Sequence, residues 1–189
     1  MSRLVDAAFA ARPRQLFLPP DQRRHASRDR PLPIGHDATN SQPSTVRRML
    51  ELLDARPGDR ALDVGCGSGW TTALLAEIVG PDGHVVGTEV VAEVLAQCAD
   101  SLGDEAGVEL HQADPAVAGW PDGAPYDRIL LSADAPRMPT ELVGQLAPEG
   151  TFVGPVLGVM LRIVRHPGAA PQVEQHGHYS FVPLRTLGP

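Results

Sequence analysis

The sequence predicts an α/β fold: a doubly wound, mostly parallel sheet with an antiparallel hairpin at its C-terminal edge. Three observations predict it. Between residues 60 and 146, short apolar runs alternate with helical patterns. Strands are expected at 60–64, 84–89, 108–112 and 127–132, and helices at 70–79, 91–102 and 139–146. Such alternation calls for crossover helices on both faces of a parallel sheet. The first of these strands runs into Asp63-Val64-Gly65-Cys66-Gly67-Ser68-Gly69-Trp70, a glycine-rich turn that opens a helix. Strand, glycine turn and helix start together make a nucleotide-binding crevice, because bare backbone approaches the ligand and free N–H groups face it. The C-terminal third then changes character. Gly150–Val156 and Val159–Arg165 are strand-like runs with no helix between them, so they pair antiparallel on an edge. A turn across Pro167–Pro171 leads to a last strand expected around residues 178–182.

The N-terminal quarter is less regular. Leu4, Val5, Ala8 and Phe9 share one face of a helix expected at residues 4–12. Pro13, Pro19, Pro20, Pro31 and Pro33 then break regularity, so residues 13–40 read as a mostly irregular cap. Pro43 opens a helix with Val46, Met49, Leu50 and Leu53 on one side, ending near Asp54 before Pro57-Gly58. The expected organisation is one domain over residues 1–189, with a helical and irregular cap at 1–42 and a core at 43–189.

Composition removes several classes of partner. The chain has 189 residues, a net charge of -7 and a pI near 5.4. All sixteen basic residues are Arg, and there is no Lys. A nucleic-acid partner is not expected, since phosphate backbones call for clustered basic side chains. The densest basic stretch, Arg23-Arg24-His25 to Arg30, is broken by Asp29 and preceded by Asp21, and reads as a solvated loop. No apolar run spans a bilayer, and Met1–Asp6 lacks a signal-peptide core, so no membrane partner and a cytoplasmic location are expected. Cys66 and Cys98 are too few for a disulfide framework. His176 and His178 have no cysteine or acid cluster beside them, so no metal is expected. The oligomeric state stays open, with a monomer the default.

The glycine spacing narrows the ligand. A dinucleotide fingerprint wants G-x-G-x-x-G, and the place of its third glycine holds Trp70. The indole argues against NAD. Asp63, two residues before Gly65, puts a carboxylate at the strand end, which repels a pyrophosphate. It suits S-adenosylmethionine, which carries a sulfonium and an α-ammonium and no phosphate. Glu89 ends the next strand about twenty residues on, the usual place of an acid that grips ribose hydroxyls. The plain alternatives are a bare tight turn for the glycines, a turn cap for Asp63 and a helix-start acid for Glu89.

Several segments together resemble one family. They are Phe17-Leu18-Pro19, Pro31-Leu32-Pro33-Ile34-Gly35, Thr39-Asn40-Ser41-Gln42-Pro43 and the glycine turn, then Ala113-Asp114, Pro125–Ile129 and, near the end, Phe181-Val182-Pro183-Leu184. The chain is similar over residues 5–185 to protein-L-isoaspartate O-methyltransferases. That resemblance implies a Rossmann-like, class I S-adenosylmethionine-dependent methyltransferase fold. It implies transfer of a methyl group to the α-carboxylate of L-isoaspartyl residues in damaged peptides or proteins, starting repair through a succinimide and leaving S-adenosyl-L-homocysteine. By the same resemblance Ser41 is the active-site serine and Thr39 lies beside cofactor and substrate. Gly65, Gly67 and Gly69 match the cofactor turn, with Cys66 inside it. Glu89, followed by Val90, matches the ribose acid, and Asp114, followed by Pro115, the acid beside adenine. Each has a plainer alternative: Ser41 as a helix N-cap before Pro43, Cys66 as a small filler, Asp114 as a turn initiator. Trp70 is open between packing over the cofactor and core burial, and Trp120 reads as a loop anchor.

Departures from the family cluster around the acceptor. Its loop commonly reads G-Q-T-I-S-Q-P, where this chain has Asp37-Ala38-Thr39-Asn40-Ser41-Gln42-Pro43. Its acid–glycine pair is Asp114-Pro115 here, and its T-A-A segment is Ser132-Ala133-Asp134. Asp37 and Asp134, if they face the pocket, oppose an anionic acceptor. They leave room for a natural-product or modified-peptide acceptor on the same fold, or for a binding protein without turnover. A carboxylate acceptor needs no general base, since its pKa is about 4. Alignment alone is worth roughly 7–11 kcal/mol.

Overall fold

Proline placement sets the beginning of the chain. The structure, a computed structural model, describes residues 3–185. Helix α1 (Arg3–Ala11) stops before Pro13, and two short 3-10 turns follow at Arg14–Phe17 and Arg23–His25. The expected irregular cap is more ordered than its prolines imply. β1 (Leu32–Gly35) and β2 (Ala38–Asn40) form a two-stranded antiparallel hairpin, turned by His36 and Asp37 at φ 52° and 58°. Pro33 is tolerated because the hairpin is all edge, and its alternate residues Leu32 and Ile34 are buried.

Helix α2 (Pro43–Leu53) carries Pro43 in its first turn and ends on Asp54 in the left-handed region. Its N-cap is Gln42, with no side-chain cap bond of its own. Asp29 supplies one from outside, accepting the Ser44 N–H at 2.9 Å. The N-cap alternative for Ser41 therefore falls.

The alternating region is as expected. β3 (Arg60–Val64), α3 (Trp70–Val79), β4 (His84–Glu89), α4 (Ala92–Leu102), β5 (Val108–Gln112), β6 (Tyr126–Leu131), a short α5 (Thr140–Gly144) and a long β7 (Leu146–Val156) follow in turn. β8 (Val159–Val164) and β9 (Gln172–His178) complete a seven-stranded sheet of order β5-β4-β3-β6-β7-β8-β9. The pairs β5-β4, β4-β3, β3-β6 and β6-β7 are parallel, and the last two pairs are antiparallel. The last strand is corrected: it is 172–178, not 178–182. Tyr179 and Phe181 leave the sheet and pack on the core instead.

Strand parity divides the core. Ala61, Val85, Leu130, Val153 and Met160 face α1, α2 and α3 in one cluster. Leu62, Val64, Val86, Ile129, Leu131, Phe152 and Ile163 face the other way, with Leu142 of α5. Central strands buried on both faces explain their nearly continuous apolar runs. The strand order reverses between β3 and β6, and in such sheets ligands bind outside the carboxyl ends of the strands at that reversal.

Candidate active site

Four strand ends meet at the reversal, and each delivers one wall. Gly65 and Gly67 follow β3 at φ 77° and 55°, a region that favours glycine. Glu89 ends β4, Asp114 follows β5 and Ser132 follows β6. All five line one cleft, with Val90 and Pro115 beside them and Val64, Val117 and Leu142 supplying apolar surface.

Glu89 is 9% exposed, and backbone donors fix its carboxylate. One oxygen accepts Gly67 N–H at 3.2 Å; the other accepts Val90 and Val91 N–H at 2.9 and 3.0 Å. An ionised carboxylate has about four acceptor sites, so it still has room for a hydroxyl donor. Asp114 Oδ1 accepts the Ala116 N–H at 2.8 Å, forming the expected turn, while the exposed carboxylate also lines the cleft.

Three residues expected at the cofactor are not among those that line this cleft. Asp63 shares the parity of Ala61, and is fully buried beneath α3. Its Oδ2 accepts the Thr71 and Thr72 hydroxyls at 2.7 Å each, and Oδ1 has no partner among the described residues. Burial pushes its pKa up to about 6. The Cys66 side chain turns inward, with Sγ 3.7 Å from Cys98 Sγ. That thiol contact and burial raise the Cys66 pKa well above the ordinary range. Gly69 is needed for packing: a Cβ there lies 2.9 Å from Cys98 Sγ, so α4 reaches the turn only because position 69 is bare. Trp70 is buried, donates to the Arg12 carbonyl at 3.0 Å and meets Phe9 edge-on, which decides for core burial. Trp120 anchors its loop: it stacks on His111 at 4.0 Å, and its carbonyl accepts the Tyr126 hydroxyl.

A second cavity, a groove of about 970 Å³, runs alongside and holds Ser41. Thr39 and Ser132 line both the cleft and the groove, and so stand where the two meet. Val182 and Pro183 also line both, because this segment pairs with Asp134: Asp134 N–H donates to the Val182 carbonyl and Leu184 N–H to that of Asp134. The Asp134 carboxylate is turned away, accepting the Gly158 N–H at 3.0 Å. Asp37 does line the cleft.

The loop that carries Thr39–Pro43 hangs on Arg14, whose role the sequence reading missed. Arg14 is 5% exposed, and its guanidinium donates to the carbonyls of Ala26, Arg28, Arg30, Asn40 and Ser41. Its Nε donates to Asn40 Oδ1 at 2.7 Å, and Asn40 Nδ2 donates to Ser68 Oγ at 3.0 Å. Burial lowers the Arg14 pKa to about 10, so it stays charged at neutral pH. Asn40, the polar departure in the loop, thus ties the loop to the glycine turn. Its pairing with buried Leu32 across the hairpin is the signal: β2 alternation sends Asn40 inward and Thr39 outward.

The cleft's charge tests the cofactor. Asp37, Glu89 and Asp114 line it, and Arg185 is the one basic side chain among its lining residues. Three carboxylates against one cation disfavour a pyrophosphate and fit hydroxyl and ammonium donors. Fold and site together define a class I S-adenosylmethionine-dependent methyltransferase.

The chain belongs to the protein-L-isoaspartate(D-aspartate) O-methyltransferase family, whose model matches residues 1–187. It is 44% identical to the protein-L-isoaspartate O-methyltransferase of Aeropyrum pernix, over 97% of this chain and 73% of that one. It is 40% identical to the enzyme of the same name from Methanopyrus kandleri, over 97% and 84%. A Plasmodium falciparum protein-L-isoaspartate O-methyltransferase, solved with S-adenosyl-L-homocysteine, has the same fold at a TM-score of 0.82 and 20% identity, covering 97% of this chain and 90% of that one.

Proposed function

We propose that this enzyme methylates the free α-carboxylate of isoaspartyl residues in peptides or proteins. One observation carries the reading: Thr39 and Ser132, two residues with hydroxyl side chains, line both the cleft and the groove. Family membership supplies the acceptor class.

Glu89 and Asp114 would hold the ribose and adenine portions of S-adenosylmethionine, with Gly65 and Gly67 leaving backbone close to it. When bound, that cofactor supplies a methyl group on cationic sulfur, open to in-line attack. The chain's own residues do the rest. Thr39, Ser41 and Ser132 donate hydrogen bonds to the acceptor carboxylate and fix which oxygen points into the cleft. No base is required, because the acceptor is ionised at neutral pH. Val182 and Pro183 cover the junction and limit water there. Of the two carboxylates that oppose an anionic acceptor by sequence, Asp134 bonds to Gly158 instead, and Asp37 lines the cleft but not the groove, which supports an acidic acceptor.

The reading is of a single methyltransferase domain, residues 1–42 capping a core at 43–189, working in the cytoplasm as a monomer without a nucleic-acid partner. Support for the location and for the lack of a nucleic-acid partner comes from two free buried thiols and a net charge of -7. No helix among the described residues is long and apolar enough to cross a membrane.

The test uses tritiated S-adenosylmethionine with an isoaspartyl peptide and its normal aspartyl isomer. A base-labile methyl ester on the isoaspartyl peptide alone is expected. Binding of S-adenosyl-L-homocysteine without transfer to that peptide rejects the acceptor.

A further inference from the structure

The groove beyond the junction has a charge pattern opposite to that of the cleft. Arg48 and His178 are among its lining side chains, and none of its lining residues is a carboxylate. Arg48 stands on α2 one turn after Ser44, is exposed, and has no carboxylate within 4.0 Å among the described residues. Its guanidinium rests 3.4 Å from His176 Nδ1 on β9, the strand whose last residue, His178, lines the groove with it.

The acids nearby are already engaged. Glu174 contacts Arg162 at 3.3 Å and His176 Nε2 at 3.3 Å. Asp29, at the rim, accepts the Ser44 N–H at 2.9 Å and Gln42 Nε2 at 3.2 Å. Glu51, further along α2, is more than 4.0 Å from the guanidinium. On a chain of net charge -7, an unpaired cation facing a groove of about 970 Å³ is an electrostatic feature of that groove.

We infer that Arg48, assisted by His178, makes this enzyme prefer isoaspartyl acceptors that carry a second carboxylate on a flanking residue. The inference rests on the isoaspartyl reading and refines it. The methyl-accepting carboxylate meets Thr39, Ser41 and Ser132; the flanking carboxylate meets Arg48. Arg48 is thus a specificity residue and touches no reacting atom.

The test uses isoaspartyl peptides of one length that differ only in the flanking residues: glutamate, glutamine or lysine. The native enzyme is expected to rank them glutamate, glutamine, lysine in kcat/KM, with roughly fivefold between the extremes, the scale of solvent-exposed ion pairs. The contrast lies in KM and shrinks at about 0.5 M salt, where screening is nearly complete over a few Å. Arg48→Glu is expected to reverse the order, and calorimetry with S-adenosyl-L-homocysteine shows that the variant is folded. Equal rates for the three peptides, or an unreversed order in Arg48→Glu, overturn the inference and leave the isoaspartyl reading standing. If no peptide is methylated while the native enzyme binds S-adenosyl-L-homocysteine, both fall.

Discussion

Arg14 Nε donates to Asn40 Oδ1 at 2.7 Å, deep in the cap and out of reach of solvent. The pair joins the N-terminal turn to the loop that carries Thr39–Pro43, and Asn40 passes the link to Ser68 in the glycine turn. Asn40→Leu keeps the volume but leaves Arg14 Nε and Ser68 Oγ without this partner. A loss of about 1–3 kcal/mol is expected. In a chain of this size that lowers the melting temperature by roughly 3–10 °C. Hydrogen exchange should rise first in residues 26–41, and the acceptor KM should rise with it. Unchanged exchange there contradicts a role for Asn40 in holding the loop.

Glu89 gives a cofactor prediction. Glu89→Gln preserves size and replaces a carboxylate that gathers three backbone N–H groups. A hydrogen bond to a charged group is worth about 1.5–3 kcal/mol. Affinity for S-adenosyl-L-homocysteine should fall about tenfold to a hundredfold by calorimetry. An affinity within twofold of native removes Glu89 from the cofactor site.

Ser41 separates acceptor from cofactor. It lines the groove and is absent from the walls of the cleft. Ser41→Ala should lower kcat/KM for an isoaspartyl peptide about tenfold, the cost of one charge-assisted hydrogen bond. S-adenosyl-L-homocysteine should bind as before. Equal losses in both measurements point to a collapsed loop.

Asp63 predicts a pH dependence of stability. Its folded pKa is raised from 3.8 to about 6, because burial disfavours the charged form. Between those values the folded state holds a proton that the unfolded chain has released, so stability falls as pH rises through this window. The contribution is fully present below about pH 4 and lost above about pH 6. At about 1.36 kcal/mol per pH unit, the swing is on the order of 3 kcal/mol. Asp63→Asn should flatten the slope of denaturant midpoint against pH in that window. A native slope that rises from pH 4 to 6, with no change in Asp63→Asn, contradicts an ionisable buried acid there.

The core of the fold was legible in the sequence because its signals are local. Strand β3, the glycine turn and helix α3 lie where the apolar runs and Gly65–Gly69 put them. Long-range facts were harder to read. Asp63 looked like a cleft residue by position, yet parity with Ala61 turns it into the helical face of the core; counting by two from Ala61 would have found it. The last strand was misplaced because Tyr179, Phe181 and Val182 look more strand-like than Gln172–His178, an exposed edge that owes its conformation to β8. Arg14 gave no sequence signal at all: its carbonyl partners span residues 26–41 and converge only in the folded cap.

Residues far apart in the sequence enclose the site. Asp37 and Arg185 line the same cleft, and Arg185 reaches back to the His36 carbonyl at 2.8 Å. During synthesis on the ribosome, β3 and α3 emerge long before residues 182–185 leave the exit tunnel. The growing polypeptide therefore has its glycine turn early, and its cleft stays unwalled on one side until residues 182–185 can reach back to it.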